Sequence, residues 1–320
     1  MSRTAGLVGG LLSALLGGCQ ADLLPGEWVV PGELNAVEVL GPAGLGEALA
    51  AGESGALISA GQEAWLVDWS GVQLMSWDAG GEVAALWWAE DGSAMAGVRG
   101  RGVVRLDDGA LVADRPSARV FVGHGAGWAL ADDAGVETST GERIALSGAR
   151  ALAMGDARLL ALTCASEGPG CEAFDLSAAP DEPSRALGEA GEGGAVGLDA
   201  DGVAWWSNPM LGVGDTSGIV YAEDGQVVVG DPGDQLGRSM SPSFVAGVTN
   251  PVAAPRRART LSLHDPTAPV IALVGGSPDR PVRVVSEGEH LLVGCPERPG
   301  PEGIDGAVYL LRLDLPPFGP

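Results

Sequence analysis

The chain has 320 residues and a formal charge of −24, and its 18 basic residues are all arginine. Binding along a nucleic acid needs clustered basic residues, so an acidic chain of this kind repels such a polymer. The 52 glycines and 22 prolines break the apolar residues into short runs, the spacing of strands and turns.

The first element, "MSRTAGLVGGLLSALLGGC", has a basic start at Arg3, an apolar stretch from Ala5 to Leu16, then small residues and Cys19. This is the layout of a secretory signal, and the stretch is shorter than the roughly 20 apolar residues of a transmembrane helix. Leu16, Gly17, Gly18 and Cys19 resemble the bacterial lipobox, in which the cysteine is acylated and becomes the new N-terminus. The alternative is an ordinary export signal with an incidental cysteine. The resemblance implies a signal over 1–18, a tether over 19–32, and acyl chains that hold the protein to a membrane. With Gln20 after Cys19, it also implies the outer membrane or cell surface.

Next, "ELNAVEVLG" at 33–41 has strand character. Behind it the chain repeats a unit of four strands joined by Asp-Gly or Gly-rich turns. The first unit (45–81) reads "EALAAG", "GALISAG", "EAWLVDW", "VQLMSW". The second (82–116) reads "EVAALWW", "GSAMAGV", "GVVRLDD", "ALVAD", and the third (117–148) "ARVFVG", "GWALADD", "GVETSTG", "RIALSG". Units four (149–190), five (193–234) and six (235–278) follow with longer loops. In unit six the expected strands are "SPSFVAG", "PVAAP", "RTLSLHD" and "VIALVGG". The seventh unit (279–316) supplies only three strands, and 33–41 is the candidate for its missing outer one.

Residues 19 to 320 divide into seven units of about 43 residues, inside the roughly 40 to 45 of a four-stranded propeller blade. The expected fold is therefore all-β, a seven-bladed β-propeller with four-stranded antiparallel blades, closed by an N-terminal strand. A radial arrangement also accounts for strands that are apolar on both faces, because each blade is packed between two others.

Three late units share an apolar strand, a proline and a second strand: "WWSNP" with "GIVY", "PVAAP" with "TLSL", and "LLVGCP" with "GAVYLL". This resembles the FG-GAP repeat of integrin-α-type propellers over roughly 195–313, with "QLGRSM" (235–240) in place of the element that opens such repeats. The family often binds Ca²⁺ through a DxDxDG loop. Of that loop only Asp199 and Asp201 are present here, and the resemblance implies at most a weak calcium site there. The same Asp-Gly is also ordinary turn chemistry. "STGERIAL" (139–146) resembles the turn of quinone-enzyme-type repeats.

His124, His264 and His290 lie far apart with no metal spacing, and the chain has no GxSxG turn or phosphate-binding GxxxxGK[ST] loop. Cys164 and Cys171 bracket a six-residue loop that an exported protein could join as a hairpin disulfide, the alternative being two reduced cysteines, and Cys295 reads as a buried core thiol. In Trp87–Trp88 and Trp205–Trp206, adjacent strand residues point to opposite faces, so each pair reads as packing between blades. The expected function is a monomeric, non-catalytic binding or scaffolding module for a protein or glycan ligand. The competing class is a propeller enzyme acting on glycans, or with a quinone, through loops over the central channel.

Overall fold

The computed structural model describes residues 27–30, 36–165, 170–177, 184–211, 217–230, 234–248, 257–264, 270–274, 282–300 and 303–313. Short β-forming runs alternate with turns in which glycine takes the left-handed conformation that other residues resist. Gly92 and Gly225, at φ of 79° and 93°, close the two "AEDG" turns in this way. The result among the described residues is strands and no helix.

Two strands precede the repeats, β1 (Glu27–Val30) and β2 (Val37–Pro42). Blade one is β3 (Leu49–Gly52), β4 (Gly55–Ala60), β5 (Glu63–Val67) and β6 (Gln73–Asp78). Blade two is β7 (Val83–Trp88), β8 (Ala94–Val98), β9 (Gly102–Arg105) and β10 (Leu111–Asp114). Blade three is β11 (Val120–His124), β12 (Gly127–Asp132), β13 (Gly135–Thr138) and β14 (Arg143–Ile144). Blade four is β15 (Ala149–Met154), β16 (Leu159–Cys164), β17 (Cys171–Asp175) and β18 (Arg185–Ala190). Blade five is β19 (Val196–Leu198), β20 (Ala204–Asn208), β21 (Ile219–Ala222) and β22 (Val227–Val229). Blade six is β23 (Ser239–Met240), β24 (Phe244–Val248), β25 (Arg257–Ser262) and β26 (Val270–Val274). Blade seven is β27 (Arg283–Glu287), β28 (His290–Gly300) and β29 (Gly303–Arg312), completed by β2.

Val37 to Pro42 pair antiparallel with Leu310 to Asp305, so the outer strand of the last blade comes from the other end of the chain, as the sequence led us to expect. Two details differ from expectation. Glu27–Val30 falls within the stretch expected to be a tether, yet pairs in parallel with β26 as a fifth strand of blade six. Its sequence EWVV is rich in strand formers, and the edge of β26 offers unpaired backbone groups. In "SPSFVAG", expected as one inner strand, the Ser241 hydroxyl accepts the Phe244 N–H at 3.2 Å and donates to the Phe244 carbonyl at 3.3 Å. That turn leaves Ser239–Met240 as the inner strand and makes Phe244–Val248 the second. The expected strand "PVAAP" lies outside the described residues.

The core is distributed. Its described residues form seven apolar clusters, and each cluster joins two neighbouring blades. Large side chains of one blade lie over glycines of the next, where any Cβ would collide: Trp88 over Gly52, Phe121 over Gly97, and Trp87 over Gly123. Trp87 thus faces blade three and Trp88 faces blade one. Trp205 belongs to the cluster shared by blades five and six, and Trp206 to the one shared by four and five. Both tryptophan pairs are packing residues, split between opposite faces as their adjacency requires. The ring closes through Val39, Leu45, Ile58, Leu292, Val308 and Leu310, between blades one and seven. Fully buried Cys295 packs between blades six and seven.

Candidate functional site

The seven inner strands, β3, β7, β11, β15, β19, β23 and β27, each form one end of a sheet, so their free edges surround the axis. All seven run the same way, from a face called here the mouth to the far face. A channel of about 510 Å³ opens at the mouth and is walled by all seven strands, from Leu49 through Val122 and Val196 to Val285. Beside it, over blades three and four, lies a wider depression of about 1250 Å³. The two cavities share Arg99, Arg119 and Arg150.

Five arginines ring the channel: Arg99 from the turn after β8, and Arg119, Arg150, Arg238 and Arg283 from the first residues of, or just before, four inner strands. Glu47 is the only carboxylate among the described residues lining it. Arg99 pairs with Glu82, and Arg119 reaches Asp133 at 3.5 Å with both side chains largely exposed. The Arg283 Nε donates to the Glu47 backbone carbonyl at 3.0 Å. Desolvation pushes the Arg283 guanidinium down from its ordinary value, Glu47 opposes this, and the Arg99 charge adds to it. Arg238 donates to the Gln235 side-chain oxygen at 2.9 Å, and desolvation lowers it too. Gln235 holds a left-handed φ of 45°, a conformation uncommon outside glycine.

The sequence reading did not find this collar. Its signal is the arginine recurring where an inner strand begins, as in "SARV", "GARA", "LGRS" and "PVRV", and it emerges only when the units are aligned on that strand. The formal charge of −24 concealed it, because net charge says nothing about where the minority sign gathers.

The residues singled out in the sequence lie elsewhere or at its margin. Cys19 is outside the described residues. Cys164 and Cys171 face each other across β16 and β17, are joined as a disulfide, and line the wider depression. Asp199 and Asp201 sit in the turn between β19 and β20, at the far face. One Asp199 oxygen accepts the N–H groups of Asp201 and Val203 at 3.0 and 2.8 Å, and the other accepts the Trp205 indole N–H at 3.2 Å. That carboxylate organises its own turn. No group of three or more metal-ligating side chains occurs among the described residues.

All three histidines lie at the far face, since His124 ends an inner strand, His264 follows a third strand and His290 opens a second one. His124 bonds Asp156 at 2.9 Å, His264 the Pro242 carbonyl at 3.1 Å, and His290 stacks on Trp69 with ring centres 3.7 Å apart. Glu287 ends the inner strand of blade seven, and desolvation pushes its carboxyl up, with His124 opposing and Glu53 reinforcing the shift.

No protein-family model matches the chain, and no curated protein matches it. Among solved structures it is similar to hydrazine synthase of Kuenenia stuttgartiensis, at 12% identity and a TM-score of 0.55, covering 82% of this chain and 94% of that one. It is also similar to BamB from Moraxella catarrhalis, at 10% identity and a TM-score of 0.46, covering 86% and 96%. At such identity the first likeness bears on the fold alone. Strand order, the shared interfaces between blades and that likeness agree: the chain folds as a seven-bladed β-propeller.

Proposed function

We propose that this chain is a non-catalytic binding or scaffolding module of the bacterial cell envelope, acylated at Cys19, with FG-GAP-like repeats and a ligand taken at the mouth. The observation that carries the reading is the pair of adjoining cavities at one face, sharing Arg99, Arg119 and Arg150, while every histidine lies at the other face. Fixed cations in a concave site recognise and hold a ligand, and proton transfer needs groups that titrate near neutrality.

The direction of β1 bears on how the module would be displayed. It runs parallel to β26, hence from the far face toward the mouth. A lipid on Cys19 would join the ring at Glu27, on the far face, through at most about 28 Å of extended chain. The mouth would then point away from the bilayer.

Two experiments test the reading. Palmitate labelling in a bacterial host is expected to mark the wild type and spare Cys19→Ala; equal signals from both would sink the anchor. The domain from residue 20 onward, immobilised beside its Arg150→Glu variant, is expected to retain from envelope extract a component that the variant loses. Identical retention by the two would remove the mouth from the proposal.

A further inference from the structure

Deepening that reading of the mouth, we propose that the arginine collar is a binding site for a small polyvalent oxyanion, a molecule carrying two or more phosphate or carboxylate groups. In a chain with 42 acidic and 18 basic residues, a lining of five arginines and one glutamate inverts the overall charge ratio.

Arg99 and Arg119 of the collar meet Glu82 and Asp133, but the surroundings of the other three set them apart from the arginines that hold the fold together. Where arginine is structural, carboxylates meet it: Arg259 pairs with Asp234 inside blade six, and Arg158 pairs with both Asp175 and Glu223 between blades four and five. At the mouth, Arg150 makes no hydrogen bond or ion pair with any described residue. Arg238 contacts the Gln235 oxygen and, at 3.7 Å, the Met210 sulfur, while its buried Nε has no acceptor. Arg283 meets a backbone carbonyl. None of these three has a carboxylate within ion-pair distance among the described residues.

A guanidinium does not shed its proton in a protein, so each charge stays in place without an ion-pair partner among the described residues, and at Arg238 and Arg283 it is also desolvated. An arrangement that costs the fold free energy and is kept at a cavity mouth, beside the left-handed backbone of Gln235, is one that a ligand would relieve. Guanidinium forks match the paired oxygens of phosphate and carboxylate. The free edges of the inner strands add backbone N–H groups below them.

The class follows from number, position and size. The collar draws on blades two, three, four, six and seven, so a single anionic group cannot meet it all. A channel of about 510 Å³ suits a small molecule. A long polyanion would also face the acidic outer surface, which repels it.

Calorimetric titration of the domain from residue 20 onward with pyrophosphate, and separately with citrate, at matched ionic strength, tests this. We expect saturable heat with at least one probe, and which probe binds distinguishes a phosphate from a carboxylate ligand. Arg150→Gln, Arg238→Gln and Arg283→Gln should each weaken binding about tenfold, whereas Arg105→Gln, outside the collar, should leave it unchanged. Arg150 is exposed and unpartnered, so that variant reads the site even if burial makes the other two fold poorly. Absence of saturable heat with both probes, or equal weakening by Arg105→Gln, overturns the proposal. The capture experiment on envelope extract reads the binding-module proposal separately.

Discussion

Arg259 on β25 and Asp234 before β23 form an ion pair inside blade six, with 4% and 2% of their surface exposed. Removing one partner leaves the other charged in a dry interior. We expect Asp234→Ala to lower the stability of unfolding by about 3 to 5 kcal/mol. The double replacement Asp234→Leu with Arg259→Met should cost clearly less than the single one. Urea unfolding of Asp234→Leu, Arg259→Met and their double variant decides it, and a double variant as unstable as the sum of those two single ones would show that the charges are not coupled.

Trp87 and Gly123 are a second such pair, across blades two and three. A Cβ on Gly123 would lie 2.1 Å from the indole ring, which is itself held in a cluster with Met95, Phe121 and Leu130. Gly123→Ala should therefore destabilise the ring by about 1 to 3 kcal/mol through overpacking. Adding Trp87→Leu to that variant should recover part of the loss. Denaturation midpoints that fail to move with Gly123→Ala would contradict the packing described.

Arg158, Asp175, Arg185 and Glu223 form a network that joins blade four to blade five, with contacts of 2.5 to 3.2 Å. Burial raises the Asp175 carboxyl, but bonds from the Ser177 N–H and from Arg158 outweigh it and hold it below its ordinary value of 3.8. Bonds from Arg158, opposed by burial and joined by Arg185, hold Glu223 below 4.5. Groups depressed in the folded state contribute stability that is present above their unfolded values and is lost as pH falls through the folded ones. Stability should thus decline as pH drops below about 4, and Arg158→Met should flatten that decline. Melting temperature against pH for the two proteins tests the sign.

The Cys164–Cys171 bridge closes a short loop at the wall of the wider depression. For a loop of this length, chain entropy gives a stabilisation of about 2 to 3 kcal/mol. We expect the reduced protein, and a Cys164→Ser, Cys171→Ser variant, to unfold at lower urea by a similar amount. A reducing agent that shifts the wild type while leaving the variant in place would assign the effect to this bridge.

Much of the architecture was legible because it rests on local chemistry. Asp-Gly turns, apolar runs and their regular recurrence mark strands wherever the units are short, as in residues 82–148. The sixth unit was harder. There a serine side chain competes for backbone bonds at Ser241 and turns the chain at the start of what looks like one strand, a contest that composition does not reveal. β1 escaped because a four-residue strand has no periodicity of its own and exists by virtue of the edge it meets. The collar escaped for a different reason: Arg119, Arg150, Arg238 and Arg283 are remote in sequence, and only closure of the ring makes them neighbours of one opening.

Because all seven inner strands start at one face, six of the blades donate a residue at or beside their own threshold to a common circle, and blade two adds Arg99 from the turn after β8. Glu47, Arg119, Arg150, Ala195, Arg238 and Arg283 occupy such places and line the channel. Most of those places carry charged side chains, whereas the interfaces that hold the blades together draw on Ala, Val, Leu and Trp deeper in the sheets. The opening is in effect a dial of letters on a fixed wheel, and the exposed ones, Arg119 and Arg150, can be respelled without asking the wheel to refold.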